Sequence, residues 1–324
     1  MKIDRVYTVL LTIMICAFIG TYIFLSRSHS TDVKELENKP RIVLLSHVYN
    51  NPYWHIVKKG AEEAAQKRGC VVEYNGPQAA SVKESLRLLD MAIAAKVDGI
   101  LTYVQEEEQY IPVINKAIEK GIPVVTIDTD APRSKRIAYI GTDNIKAGKV
   151  AAEVLVKKVG GKGKIGVVMG GRTTTNQIQR FNGFEEYIKA YPNMRVVAVE
   201  SSNSYTLEAE LVTKKILREN RDLVAIFCTS ALDGMGAAKA IIDLKKQNEV
   251  TIICFDDLPE TLEYIKKGII YASIVQRPYE MGYGGVNMIM DIIEGKKVPE
   301  ENLTGIIVVK KENVNTYDKE KGVE

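Results

Sequence analysis

Residues 47–54 read HVYNNPYW. They follow an apolar run, Ile42–Leu45, and precede an amphipathic run, Ile56–Arg68. That order predicts strand, loop, helix. Asn50, Asn51 and Pro52 read as loop residues, because Asn tolerates unusual backbone angles and Pro cannot sit mid-strand. Two large aromatics follow in succession, Tyr53 and Trp54. In an open α/β sheet, ligands bind outside the carboxyl ends of the strands, where this loop would lie. Aromatic faces beside an amide suit a sugar: C–H faces stack on the rings and the amide hydrogen-bonds hydroxyls. A competing reading has Tyr53 and Trp54 stapling the first turn of the helix into the core.

Outward from this stretch the pattern repeats. Strand-length apolar runs at Ile42–Ser46, Val71–Tyr74, Gly99–Tyr103, Pro123–Asp128 and Ile137–Ile140 alternate with helical patterns at Ile56–Arg68, Ser81–Ala95 and Ile111–Lys120. A second set has strands at Lys164–Met169, Met194–Glu200, Ala225–Thr229, Thr251–Phe255 and Ala272–Val275. Its helices are Ile145–Lys158, Gln177–Ala190, Thr206–Glu219, Gly234–Leu244 and Glu260–Lys267. Continuous apolar strands flanked by helices predict parallel sheets covered on both faces. Two α/β halves result, Arg41–Thr142 and Asp143–Gln276. A third piece holds one helix, Tyr279–Glu294, one late strand, Gly305–Val309, and a charged tail from Lys310 expected to fray. Two such halves predict a cleft between lobes, a preferred place for small ligands.

The chain has 324 residues and a formal net charge of +3. Length predicts two domains, and the near-balanced charge leaves no nucleic-acid footprint. Val6–Leu25 is a run of 20 uncharged, mostly apolar residues preceded by Lys2 and Arg5. It is long enough to span a bilayer, and the positive-inside rule leaves the rest of the chain outside the cytoplasm. No small-residue cleavage site follows Leu25, and Ile13-Met14-Ile15 before Cys16 is a poor lipobox. An uncleaved anchor over residues 1–25 is therefore expected ahead of cleavage or lipidation. Residues 26–40 read as a juxtamembrane linker. Cys16, Cys70, Cys228 and Cys254 are single and widely spaced, which is neither a zinc site nor a disulfide framework.

Enzyme signatures are missing. The only histidines are His29, His47 and His55, and no phosphate loop, nucleophile elbow or zinc-peptidase motif occurs. No nucleophile–base pair can be assembled, so a non-enzyme without cofactor or metal is expected. What recurs is a polar residue where a strand ends. Asp128 ends PVVTID, Asn176 and Arg180 follow KIGVVM and its loop, Ser230 follows AIFCT, Asp256 ends TIICFD, and Gln276 ends YASIVQ. One such Asp alone reads as a helix cap or turn former. Their recurrence in both halves points to groups that hydrogen-bond a polyol.

These residues carry a resemblance. NNPYW, IPVVTIDTD, IAYIGTDNIKAG, NQIQRFNGF, CFDDLP and ASIVQRPYEMG, in this order between Arg41 and Val309, resemble the type I periplasmic sugar-binding proteins. The resemblance implies two lobes, 41–142 with 277–304 and 143–276 with 305–312, followed by a tail, 313–324. It implies crossovers near Gly141-Thr142, Gln276-Arg277 and Asn302–Gly305, and closure on one monosaccharide. Asn51, Tyr53, Trp54, Asp128, Asn176, Arg180, Asp256 and Gln276 match the family's ligand positions, with Ser230 a weaker substitute. Ser230-Ala231 stands where ribose binders carry Asn-Asp, and Thr129 and Ile178 stand where they carry arginines. His47 and Tyr53 add other polar groups, and an aromatic near Ser204-Tyr205 could cover the ligand. A different pentose, a hexose or a modified sugar stays open. The expected partners are a monosaccharide and either an ABC permease or a membrane sensor kinase, with the binding domain outside the cell membrane.

Overall fold

The computed structural model describes residues 39–317 and the isolated positions Met14, Phe18 and Thr21. Those three positions apart, the apolar run at Val6–Leu25, the linker before Lys39 and the chain beyond Tyr317 lie outside the described residues. Among the described residues, no helix is long and apolar enough to cross a membrane.

Two six-stranded sheets organise the described chain. The first holds β1 (Arg41–Leu45), β2 (Val71–Asn75), β3 (Gly99–Thr102), β4 (Val124–Ile127), β5 (Ala138–Thr142) and the late β11 (Glu301–Thr304). Its order is β11-β5-β4-β3-β1-β2, parallel throughout. The second holds β6 (Gly163–Met169), β7 (Met194–Ser201), β8 (Leu223–Cys228), β9 (Thr251–Phe255), β10 (Ala272–Val275) and β12 (Ile307–Lys310). Its order is β12-β10-β9-β8-β6-β7, and only β12 runs antiparallel. The chain passes between the sheets three times: after β5, after β10, and between β11 and β12.

Strand alternation splits each sheet's apolar residues between two cores. In the first lobe Ile42, Leu44 and Leu101 face α1 (Pro52–Arg68) and α9 (Pro278–Ile293), while Val43, Leu45 and Ile100 face α2 (Val82–Ala94) and α3 (Glu107–Glu119). The second lobe repeats the plan. Ile165, Val167 and Phe227 pack under α4 (Asn144–Val159) and α5 (Thr175–Ile188), and Val168, Ile226 and Cys228 under α6 (Thr206–Glu219), α7 (Ala231–Asp243) and α8 (Pro259–Lys266).

One helix crossing in each lobe is closed by glycines. A Cβ on Gly60 would lie 2.1 Å from the Tyr279 carbonyl oxygen, and one on Gly282 1.9 Å from that of Val57. In the second lobe the pair is Gly148, 2.0 Å from the Arg180 oxygen, and Gly183, 2.1 Å from the Ile145 oxygen. Backbones touch there because no side chain intervenes.

Three local expectations are corrected. The stretch read as a loop ends at Asn51: α1 starts at Pro52, so Tyr53 and Trp54 occupy its first turn. Proline suits that position because its missing N–H would have had no helical partner. Strand β11 went unread because ENLT is polar and mostly exposed at a sheet edge. The tail does not fray from Lys310. Val314 is buried, and Tyr317 donates its hydroxyl to Asp257 Oδ2 at 3.0 Å. Cys70, Cys228 and Cys254 are buried and free.

Candidate functional site

The carboxyl ends of both sheets face a cavity of about 70 Å³ between the lobes. The two aspartates there are built alike. Asp128 follows β4 and Asp256 follows β9, each at φ 67. That is left-handed backbone, uncommon outside glycine and cheapest for Asp and Asn. Each is pinned by its main chain. Asp128 N–H donates to the Ile140 oxygen at 2.9 Å and Asp256 N–H to the Ile274 oxygen at 3.0 Å. The Tyr139 hydroxyl donates to the Asp128 carbonyl and Ser273 Oγ to that of Asp256. The turn at each strand end thus fixes where a carboxylate stands.

Helix α5 supplies the opposite charge. Asn176 and Arg180 are one turn apart and so share a face. Arg180 Nε donates to Asn144 Oδ1 at 2.8 Å, Nη1 donates to the Thr229 oxygen at 2.9 Å, and the guanidinium lies 4.2 Å from the Phe255 ring centre. Its Nη2 is buried with no hydrogen-bond partner. Asn176 Nδ2 reaches across the cleft to both oxygens of Asp128, at 3.3 and 3.4 Å. Gln276 Nε2 donates to Asp256 Oδ1 at 2.9 Å. Asn176 Oδ1, Gln276 Oε1 and His47 Nε2 are likewise buried and unpartnered. A buried polar atom without a partner costs ~1–3 kcal/mol, so these atoms mark where a polyol's hydroxyls would be bound most strongly.

Burial dominates the titration of the site. It pushes Asp128 up to about 6 against the pull of Arg180, Asn176 and Tyr53. It pushes Asp256 up to about 6 against Arg180 and Gln276. It also lowers His47 to about 4, leaving a neutral imidazole at neutral pH.

All nine residues named from the sequence, Asn51, Tyr53, Trp54, Asp128, Asn176, Arg180, Ser230, Asp256 and Gln276, line this one cavity. Their local roles differ. Asn51 caps α1, its Oδ1 accepting Tyr53 N–H at 2.9 Å, which leaves its amide nitrogen for other contacts. Ser230 caps α7 and donates Oγ–H to Asp233 Oδ2 at 2.7 Å, so its donor is spent inside the lobe. Tyr53 and Trp54 satisfy both earlier readings: each is buried in the first lobe's core and each walls the cavity. Tyr103, Gln177, Leu232 and Leu258 also line it and were not foreseen. Tyr103 was visible as an aromatic at the carboxyl end of the strand read at Gly99–Tyr103. Gln177 could have been read from its place beside Asn176; it accepts from Thr229 Oγ1 and Gly171 N–H behind the wall. The two leucines carry no signal in sequence that separates them from core residues. No group of three His, Cys, Asp or Glu side chains among the described residues is arranged to hold a metal ion.

A family model described as a periplasmic binding protein domain matches residues 42–297. The chain belongs to this family, in its type I sugar-binding form, whose members are binding proteins and not enzymes. Among solved structures, XylFII is 54% identical and superposes with a TM-score of 0.81, covering 84% of this chain and 99% of its own. The same protein has also been solved as a XylFII–LytSN complex. GanP, a glucose-galactose binding protein from Geobacillus stearothermophilus, is 42% identical with a TM-score of 0.83 over 85% of this chain and 99% of its own. A D-ribose/D-allose-binding protein of Pseudomonas aeruginosa is 24% identical over 92% of this chain and 94% of that protein.

Proposed function

We propose that this chain is a membrane-anchored, extracytoplasmic monosaccharide-binding protein that closes its two lobes on a sugar and presents it to an ABC importer. One observation carries the binding reading. Both lobes send carboxylates, amides, an arginine and aromatics into one buried chamber whose polar atoms keep unused hydrogen-bonding capacity. Aromatic walls with converging polar groups match the two surfaces of a sugar ring. The names of the relatives, which include ribose import proteins and GanP, support the sugar class and, for some, import. The anchor rests on the uncharged run Val6–Leu25. Retention of the intact chain in the membrane after alkaline extraction supports the anchor, and release opposes it.

Thermal denaturation against a panel of pentoses and hexoses tests the binding reading. A ligand at a hundred times its dissociation constant stabilises by about 2.7 kcal/mol. A shift with at least one sugar is expected, and its absence with all of them contradicts the reading.

A second role, sugar sensing beside a membrane histidine kinase or chemoreceptor, is favoured by one observation: a relative at 54% identity has been solved with a second protein, LytSN. A permanently anchored binder is well placed to report to a neighbour. Permease and ATPase genes beside this one support import, whereas kinase and regulator genes support sensing.

A further inference from the structure

A groove of about 940 Å³ lies on the first lobe, at the end away from the sugar chamber. It is built where the chain enters β3, β4 and β5 and where α2, α3 and α9 end. Six isoleucines line it: Ile93, Ile118, Ile122, Ile137, Ile292 and Ile293. Ile137 and Ile293 are 37% and 39% exposed, so part of this apolar lining faces water. The groove's charged residues are Lys96, Asp98 and Lys120. Asp98 Oδ2 accepts Arg41 N–H at 2.7 Å. Lys96 and Lys120 are exposed, and among the described residues neither enters an ion pair. Lys96 also holds φ 52, a left-handed position that glycine fills more cheaply, as Gly121 does after α3. An apolar lining with two unpaired cations is complementary to an apolar segment that carries acids.

The chain delivers such a segment to this place. Besides the bond from Arg41 N–H, Asp98 N–H donates to the Arg41 oxygen at 2.8 Å, so β1 begins at the groove's edge. Residues 32–37, just before it, read DVKELE. They carry Asp32, Glu35 and Glu37 against a single cation, Lys34, with Val33 and Leu36 between the charges. An extended chain spans at most ~3.6 Å per residue, which puts Leu36 within ~11 Å and Val33 within ~22 Å of Lys39. All of these side chains can therefore reach a groove that starts at Asp98.

We propose that residues 32–37 dock in this groove, with Val33 and Leu36 against the isoleucines and the acids beside Lys96 and Lys120. A concave site suits a chain segment, where the flat face of a bilayer would leave it empty. Opposite net charge on the segment and the groove favours this partner and sets its register. The docking stands apart from the sugar-binding reading. Its consequence rests on the anchor proposed above: the first lobe is held by the end remote from the chamber, and closure moves the second lobe relative to the membrane.

Hydrogen–deuterium exchange, read by mass spectrometry on the detergent-solubilised full chain, tests it. Amides of residues 32–37 are expected to exchange at least about tenfold slower than their intrinsic rate. Val33→Ser/Leu36→Ser and Lys96→Glu/Lys120→Glu are each expected to abolish that protection. Adding Glu35→Lys/Glu37→Lys to the lysine variant is expected to restore it, because the pairs are then reversed and not lost. Unchanged protection of the β3 and β4 amides shows that the variants fold. Exchange of 32–37 at the intrinsic rate in the wild type overturns the proposal. So does protection that the lysine substitutions leave intact, which would come from within the segment, from detergent or from another surface. Failure of the reversed charges to restore protection overturns it too. None of these readings uses a sugar or a bilayer, so they stand whether or not the sugar-binding and anchor readings fail.

Discussion

Asp128 and Asp256 are buried carboxylates whose backbone is bent into the left-handed region at a strand end. Such a position is tolerated where the surroundings fix it, and here main-chain and hydroxyl donors do so. Replacing either with Ala removes a charged hydrogen-bonding group from the chamber, worth ~2 kcal/mol or about thirtyfold in sugar affinity. Equilibrium titration with the bound sugar checks this, and wild-type affinity in both variants contradicts the assignment. The pH dependence follows from burial. Both groups are raised to about 6 from 3.8, so the folded protein holds their protons more tightly than the unfolded chain does. Their favourable contribution to stability is complete below the unfolded value and is lost as pH rises through about 6. Asp128→Asn cannot ionise, so its melting temperature relative to wild type is expected to fall as pH drops from 7 to 4. His47 titrates with the opposite sign, lowered to about 4, and is common to both proteins, so it cancels in that difference. These aspartates were legible because each ends an apolar run. Leu232 and Leu258 were not, since an apolar residue facing a cavity has the same sequence signature as one facing a core.

At the scale of elements, the site depends on how α5 seats against α4. Gly148 and Gly183 let the two backbones meet, and the atom that a Gly148 Cβ would strike is the carbonyl oxygen of Arg180. Gly148→Ala must push α5 outward. Overpacking of this kind costs ~1–3 kcal/mol, and it also displaces the guanidinium. Melting temperature and sugar affinity are expected to fall together. Gly60→Ala, at the matching crossing of the first lobe, should lower stability with the smaller effect on affinity. Differential scanning calorimetry and a binding titration on both variants check the pair. At the other end of the chamber, Asn51→Ala removes the cap of α1, a loss of ~1 kcal/mol in stability. The elements were read well where periodicity is strong, as at β9, β10 and α6. They were read poorly where another term outweighs it. Proline at a helix start looks like a loop in sequence, and β11 belongs to its sheet through backbone pairing with β5 alone, Glu301 opposite Tyr139 to Thr304 opposite Thr142.

For the whole molecule, the division into two sheets joined by three passages makes the distance between lobes the functional coordinate. Asn176 Nδ2, on the second lobe, meets the Asp128 carboxylate, on the first. A ligand that contacts both lobes favours the closed arrangement by its differential affinity for it. The two-lobed plan was legible from the repeated strand–helix alternation, and the resemblance supplied the crossovers that alternation alone does not reveal. Closure itself has a built-in reporter. Trp54 is the chain's single tryptophan and lines the chamber. The most direct measurement is therefore Trp54 fluorescence of the full-length protein during titration with individual pentoses and hexoses. The account predicts a saturable change with at least one sugar, lost or shifted to much higher concentration in Asp128→Ala and Asp256→Ala. A folded protein whose Trp54 emission is unmoved by every sugar, up to millimolar concentration, would contradict it.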